Sequence, residues 1–297
     1  MSPECEVRVH FHSPPLPLRR YFTTFYLVEV AVPGAGRVTD CLHPEWGNLR
    51  FHQGGLPEAD NERGARIAGS SFPVTGPSSQ GVRFSIGTTR MWGVGLLPLG
   101  WTKFVPAPAG EFADALVDGH AHPAFAKFAP LAATIFGEAP DAAAELARIE
   151  AHFMARLDEP VPDEARILAI HAALVDPDTR TVGDLVARAG LTPRTLERAC
   201  NRAFGFPPKA LLRRQRFLRS LGDFMLDPSL KWIGAIDGQY HDQAQFVREF
   251  RQFMGLTPRQ YAAMPKPILG AMVHARAAFA GKPVQALDGP DGGGAKI

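Results

Sequence analysis

The chain has 297 residues, 45% of them hydrophobic and 21% charged, with a formal net charge of +2. At roughly 100–200 residues per domain this predicts two domains and excludes a single small module, wholesale disorder and, for want of an apolar run of about 20 residues, a membrane span. Three cysteines at wide spacing (Cys5, Cys41, Cys200) form neither a disulfide framework nor a zinc cluster, and with no secretory leader in view the expected compartment is the cytoplasm.

In chain order, Gly, Pro and alternating apolar residues dominate the first half. Tyr26, Val28, Val30 and Val32 share one face of a strand, and Val82, Phe84 and Ile86 share another. Asp60 to Arg66 reads as an exposed polar loop. Helical spacing is predicted over 111–118 and 140–157, the latter with Leu146, Ile149, Phe153 and Leu157 on one side, so helices close a β-rich domain. Pro160 and Pro162 mark the linker. The halves differ in sign: residues 1–164 hold 13 Lys/Arg against 19 Asp/Glu, whereas residues 165–265 hold 15 against 9. A basic domain beside an acidic one is the footprint of a nucleic-acid-binding unit attached to something that avoids nucleic acid.

From Asp163 the pattern becomes all-α. Helices are predicted over 164–175 and 182–189, Gly190 supplies a left-handed turn, Thr192 caps the next helix and Pro193 opens it, giving a helix-turn-helix. The second helix, 193–204, turns Leu196, Cys200, Ala203 and Phe204 inward and leaves Arg194, Thr195, Glu197, Arg198, Asn201 and Arg202 outward. A connecting helix follows over 209–225. Its Arg213, Arg214, Arg216 and Arg219 are open to phosphate contact, ion pairing or plain solubility. A second unit repeats the first, with Trp232, Ile233 and Ile236 in a short helix, Gly238 as turn, Asp242 as cap, and 243–253 as a second recognition helix. That helix has Phe246, Phe250 and Phe253 inside and Gln243, Gln245, Arg248, Glu249, Arg251 and Gln252 outside. A connector of about 17 residues spans roughly 25 Å, enough with packing to set two helices about one DNA turn apart.

Thr192-Pro193-Arg194-Thr195-Leu196-Glu197-Arg198, the run from Tyr240 to Phe250, and Gly255-Leu256-Thr257-Pro258 with Tyr261 resemble the DNA-binding domain of AraC-type bacterial transcription regulators. The resemblance covers about residues 165–265. With the composition it implies an α+β chain of two domains: a β-rich regulatory or dimerisation domain (1–160) and an all-α double helix-turn-helix domain (161–268); the remainder (269–297), without a core-forming pattern at its glycine-rich end, reads as a mobile tail. Gln239 stands where the family usually has Gly, and Gly234 where an apolar residue is usual, two departures from the family pattern within the second motif. Gly93-Val94-Gly95-Leu96-Leu97-Pro98-Leu99-Gly100-Trp101 more weakly resembles an uncharacterised domain preceding this motif in a subgroup of such regulators. The function implied is a sequence-specific DNA-binding regulator of transcription, activator or repressor, controlled by a small molecule or by self-association. Double-stranded DNA is the expected partner, with RNA polymerase, a small-molecule effector and a second copy of the chain as further candidates and no cofactor. The residues expected nearest DNA are Arg194, Thr195, Arg198, Arg202, Gln243, Ala244, Arg248 and Arg251.

The rival expectation is a β-barrel enzyme or metal-dependent sensor with a DNA-binding appendix, resting on His10-x-His12 and His120-x-His122. His10 and His12 lie beside the terminus, and His120 and His122 in a Gly/Pro loop without an Asp, Glu or Cys constellation nearby, so structural or solvent-facing roles are expected of them. Cys200, on the apolar side of its helix, reads as an inert buried thiol. No phosphate loop, nucleophile elbow or carboxylate pair stands out, and catalysis is not expected.

Overall fold

The computed structural model describes residues 5–227 and 234–292. Two antiparallel sheets face one another. The larger has six strands in the order β1 (Glu6–His12), β2 (Phe22–Ala31), β9 (Thr89–Leu96), β4 (Asn48–Gly54), β7 (Pro73–Thr75) and β10 (Leu116–Asp118). The smaller orders β3 (Val38–Leu42), β8 (Val82–Ile86), β5 (Glu58–Asn61) and β6 (Arg66–Ala68). The alternation in β2 sorts its side chains to two cores. Tyr26, Val28 and Val30 pack with Val38, Ile86 and Met91 between the sheets. Phe25 and Leu27 point to the other face and join the main core with Phe104 and Phe153, from helices α1 (Pro98–Phe104) and α3 (Ala142–Met154), which flank the short α2 (Ala129–Thr134).

The helix predicted over 111–118 is not formed. After a single 3-10 turn at Ala109–Phe112, Asp114 adopts φ 59°, and Leu116–Asp118 pairs with β7. Asp114 is held there by an ion pair with Arg63 and by bonds from the backbone and hydroxyl of Ser79, so a left-handed residue breaks the period before a helix can propagate. The stretch Asp60 to Arg66 is the hairpin end of β5 and β6, with Asn61 buried inside it.

The second half is helical: α4 (Glu164–Val175), α5 (Val182–Ala189), α6 (Pro193–Phe204), α7 (Pro208–Leu226), α8 (Gln243–Met254) and α9 (Pro258–Ala263). Local chemistry sets these ends. Thr181 and Asp184 form a capping box at α5, Gly190 closes it at φ 64°, Thr192 caps α6 through the Thr195 amide, and Asp242 caps α8 through the Gln245 amide. Thr181→Ala therefore costs about 1 kcal/mol, seen as a loss of about 2–4 °C in thermal melting.

The expected mobile tail is corrected for the described residues. Pro267–Ala280 forms a helix, α10, that packs on β1 and β3 and buries Ile268, Leu269, Val273 and Arg276. Its apolar residues recur on several sides, as in a helix that is enclosed rather than solvated. Pro267 opens it and Gly281, at φ 71°, ends it. Val284 and Ala286 beyond it are buried too.

Candidate DNA-binding surface and ligand cavity

The two helix-turn-helix units present α6 and α8. Leu185, Leu196, Cys200 and Phe204 form the core of the first unit, and Phe246, Phe250 and Phe253 that of the second. Burial pushes the Cys200 thiol up to about 12, so it stays protonated. Trp232 and Ile233, read in the first helix of the second unit, lie outside the described residues; Ile236, read with them, is half-buried against the main core, and Gly234 is exposed at the start of the described stretch. Gln239 donates to the Pro177 carbonyl at 2.6 Å and so ties the second unit to the end of α4.

The structure sorts the arginines. Arg194, Arg198, Arg202, Arg248 and Arg251 are exposed and take part in no ion pair found among the described residues. Gln243 and Ala244 are exposed at the first turn of α8, whereas Thr195 is half-buried with its hydroxyl accepting from Thr192 at 3.0 Å. Glu249, placed outward by the sequence pattern, is buried instead. It accepts from Arg213 at 2.8 Å, Arg216 at 2.7 Å and the Tyr240 hydroxyl at 2.9 Å. Burial alone would raise its carboxyl, but the two guanidinium groups outweigh it and hold the pKa down. Arg219 is likewise paired with Asp237 at 2.5 Å. A charge neutralised inside the fold has little left to offer a phosphate.

Arg214 departs furthest from expectation. It is 1% exposed, its guanidinium lies 4.1 Å above the Trp46 ring, and Nη1 donates to the carbonyls of Ser78 at 2.9 Å and Glu45 at 3.3 Å. Its Nε and Nη2 have no partner among the described residues, and burial lowers its pKa to about 9. The middle of the connector therefore sits on the β-rich half and cannot reach DNA. Lys209 and Arg180 instead border an open cleft of about 500 Å³ between the two units. Sequence spacing alone could not single these out, because the cleft exists only once α7 and α8 have packed.

The β-rich half also touches the far ends of both recognition helices. The Gly81 amide donates to the Phe253 carbonyl at 2.6 Å, and Gln80 donates to the Gln252 carbonyl at 2.7 Å. A Cβ on Gly255, which has φ 69°, would meet Glu62 at 2.8 Å; one on Gly110 would meet the Asn201 carbonyl at 2.9 Å. The amino-terminal turns bearing Arg194, Arg198, Gln243, Ala244 and Arg248 stay exposed.

Between the sheets lies an apolar cavity of about 70 Å³ lined by Val28, Val30, Val82, Phe84, Ile86 and Met91, with His52 and Thr89 as polar neighbours. A second cavity of about 60 Å³, bounded by Tyr26, His43, Glu45 and Arg276, shares Leu42, Arg50 and Met272 with the first. Arg50 is neutralised by Glu45 at 2.5 Å. Burial lowers His52 and His43 to about 3, so both are neutral. Of the histidine pairs, His12 is partly buried beside Trp92, His120 bonds Ser71, and His122 caps a 3-10 turn through Ala124. Among the described residues no three His, Cys, Asp or Glu side chains are grouped to hold a metal ion, and no helix is long and apolar enough to cross a membrane.

A family profile described as a helix-turn-helix domain matches residues 185–264. These residues are a helix-turn-helix domain of the AraC type, the DNA-binding unit of a transcription regulator. No curated protein matches the chain. Among solved structures, ToxT from Vibrio cholerae O395 bound to (E)-4-(8-methylnaphthalen-1-yl)but-3-enoic acid is 12% identical, over 88% of this chain and 98% of that one, at a TM-score of 0.43. Unsaturated fatty acid-bound wild-type ToxT from Vibrio cholerae strain SCE256 is 9% identical, over 89% and 97%, at 0.41. The AraC-like transcriptional activator CuxR is 14% identical, over 66% and 76%, at 0.28.

Proposed function

We propose that this regulator reads DNA with both recognition helices at once and that its β-rich half binds a small-molecule effector. The observation that carries the DNA reading is the contrast among the arginines: those on α6 and α8 are exposed and unpaired among the described residues, while those on α7 are spent inside the fold. Arg194, Arg198, Gln243, Ala244 and Arg248 enter the major groove. Arg202 and Arg251, a turn further along, hold phosphates, as do Lys209 and Arg180 from the cleft. Thr195 acts mainly through its bond to Thr192, orienting the first turn of α6. At 19 residues α7 spans about 28 Å, which with its flanking packing suits two successive grooves.

Selection of the full chain against a pool of randomised duplexes tests this. The expected result is a recovered site with two conserved blocks about one helical turn apart, bound with an affinity that falls steeply as salt rises. A pool that stays random after selection, at any salt, contradicts it. Lys209→Ala is expected to weaken every duplex alike and to lower the salt slope by about 1, measured by titration at several salt concentrations. The effector reading is supported by the cavity between the sheets, whose walls are apolar and whose one arginine is already neutralised.

A further inference from the structure

The chain does not end at the DNA-binding unit. Three residues after α9, α10 turns back and lies along β1 and β3, the edge strands of the two sheets. It therefore fills the mouth of the sandwich. Ile268 and Met272 line the apolar cavity, and Met272, Val273 and Arg276 line its neighbour. Asp40 of β3 caps the helix, accepting from the amides of Ile268 at 2.8 Å and Leu269 at 2.9 Å, and Phe279 stacks on Phe11 of β1.

The segment beyond the helix reaches the DNA-binding half. Gln285 accepts from Thr23 at 3.0 Å and donates to Glu45 at 2.7 Å. The carbonyl of Ala286 accepts from Gln215 of α7 at 2.8 Å, and Pro283 packs so closely on α7 that a Cβ at Gly222 would meet it at 2.8 Å. Glu45 joins the parts: its side chain holds Arg50 at the cavity and Gln285 on the segment, and its carbonyl accepts from Arg214 of α7. Protein interiors close to crystal-like density, so the unfilled space left beneath a helix that packs Ile268, Leu269 and Val273 on the sandwich marks a place that another occupant can complete.

We propose that residues 267–292 are a built-in plug of the cavity, displaced when a small uncharged apolar molecule enters, and that the displacement is passed to α7 and so to the spacing of the two recognition helices. This rests on the effector reading of the cavity. The ligand is uncharged because Arg50 is matched by Glu45, Arg276 by Asp288, and both histidines are neutral, which leaves no counter-charge for an ion brought out of water. It is small because the two cavities together hold only a few heavy atoms until the plug shifts.

The test uses the full chain, toluene as a small neutral apolar probe, and the duplex recovered by selection. Saturating probe is expected to raise amide exchange over residues 267–288 at least tenfold and to change DNA affinity at least threefold. Met272→Trp, which fills the cavity, is expected to exclude the probe. Gln285→Ala, which cuts the tie to Glu45, is expected to produce both effects without probe; Met272→Ala, which only widens the cavity, is expected to tighten probe binding and serves if Gln285→Ala does not fold. Probe binding with unchanged exchange over 267–288 overturns the plug. Raised exchange in Gln285→Ala with unchanged DNA affinity overturns the transmission to α7. Failure of the probe to bind any of these proteins overturns the effector reading and the gating with it, and a DNA shift in Gln285→Ala that survives that failure assigns the segment a purely structural coupling.

Discussion

Replacing Arg214 by alanine will destabilise the protein by about 3 kcal/mol and leave the salt dependence of DNA binding unchanged. The loss combines the void left by a fully buried side chain with the removal of its contact to Trp46 and its bonds to two carbonyls. It is moderated because the guanidinium is itself strained energetically: it is desolvated, and Nε and Nη2 lack partners among the described residues. Arg214→Met, which keeps the volume and discards the charge, is therefore expected to stay within about 1 kcal/mol of the parent. Urea unfolding of both variants at neutral pH, beside DNA titrations at several salt concentrations, decides the matter. A salt slope lowered by about 1 in a stable Arg214→Met protein would place this side chain on a phosphate after all.

Acid is expected to unfold the protein well before its carboxylates titrate. Burial lowers His43 and His52 to about 3 and His171 to about 4, against 6.5 in an unfolded chain. Below that value the unfolded chain takes up protons that the folded one refuses, so the stability these groups allow is complete above pH 6.5 and is lost as pH falls toward 4. At pH 5 each group costs about 2 kcal/mol, from roughly 1.5 pH units at 1.36 kcal/mol, and the three together about 6 kcal/mol. That is comparable with the whole stability of an ordinary domain. Asp40 and Asp288, whose burial raises their carboxyls, shift the other way and temper the acid end. Urea midpoints at pH 7.5 and 5.0 are expected to differ sharply, and His171→Gln to remove about a third of the difference. Equal midpoints would show these imidazoles to be solvated in the folded protein.

The features read correctly from sequence are those set by a few neighbouring residues. The ends of α5, α6 and α8 follow from Thr181 with Asp184, Gly190, Thr192 with Pro193, and Asp242, whose capping bonds span three residues or fewer. The inward faces of β2 and β8 follow from plain alternation. What escaped was set by contacts distant in the chain. The connector carries Arg213, Arg214, Arg216 and Arg219 in a short basic run, and only the position of Trp46, some 170 residues earlier, decides that Arg214 is buried. Glu249 sits on the outer side of its own helix but faces α7, so helical period alone assigned it to solvent. For α10 a local signal was present in Pro267, Gly281 and the apolar residues between them, and the glycine-rich stretch beyond Asp288 masked it.

Two recognition helices are proposed to read bases, while the middle of the connector, around the buried Arg214, does not touch DNA. Competition binding of Arg198→Ala and Arg248→Ala to the selected duplex and its single-base variants, at several salt concentrations and with folding checked for each protein, tests it most directly. Each substitution is predicted to cost about 1–3 kcal/mol on the selected duplex and to erase preference at one base pair, the two positions lying in different half-sites. Base preferences left intact in both variants, with affinity lowered equally for every sequence, would show that these helices rest on phosphates and would contradict the account.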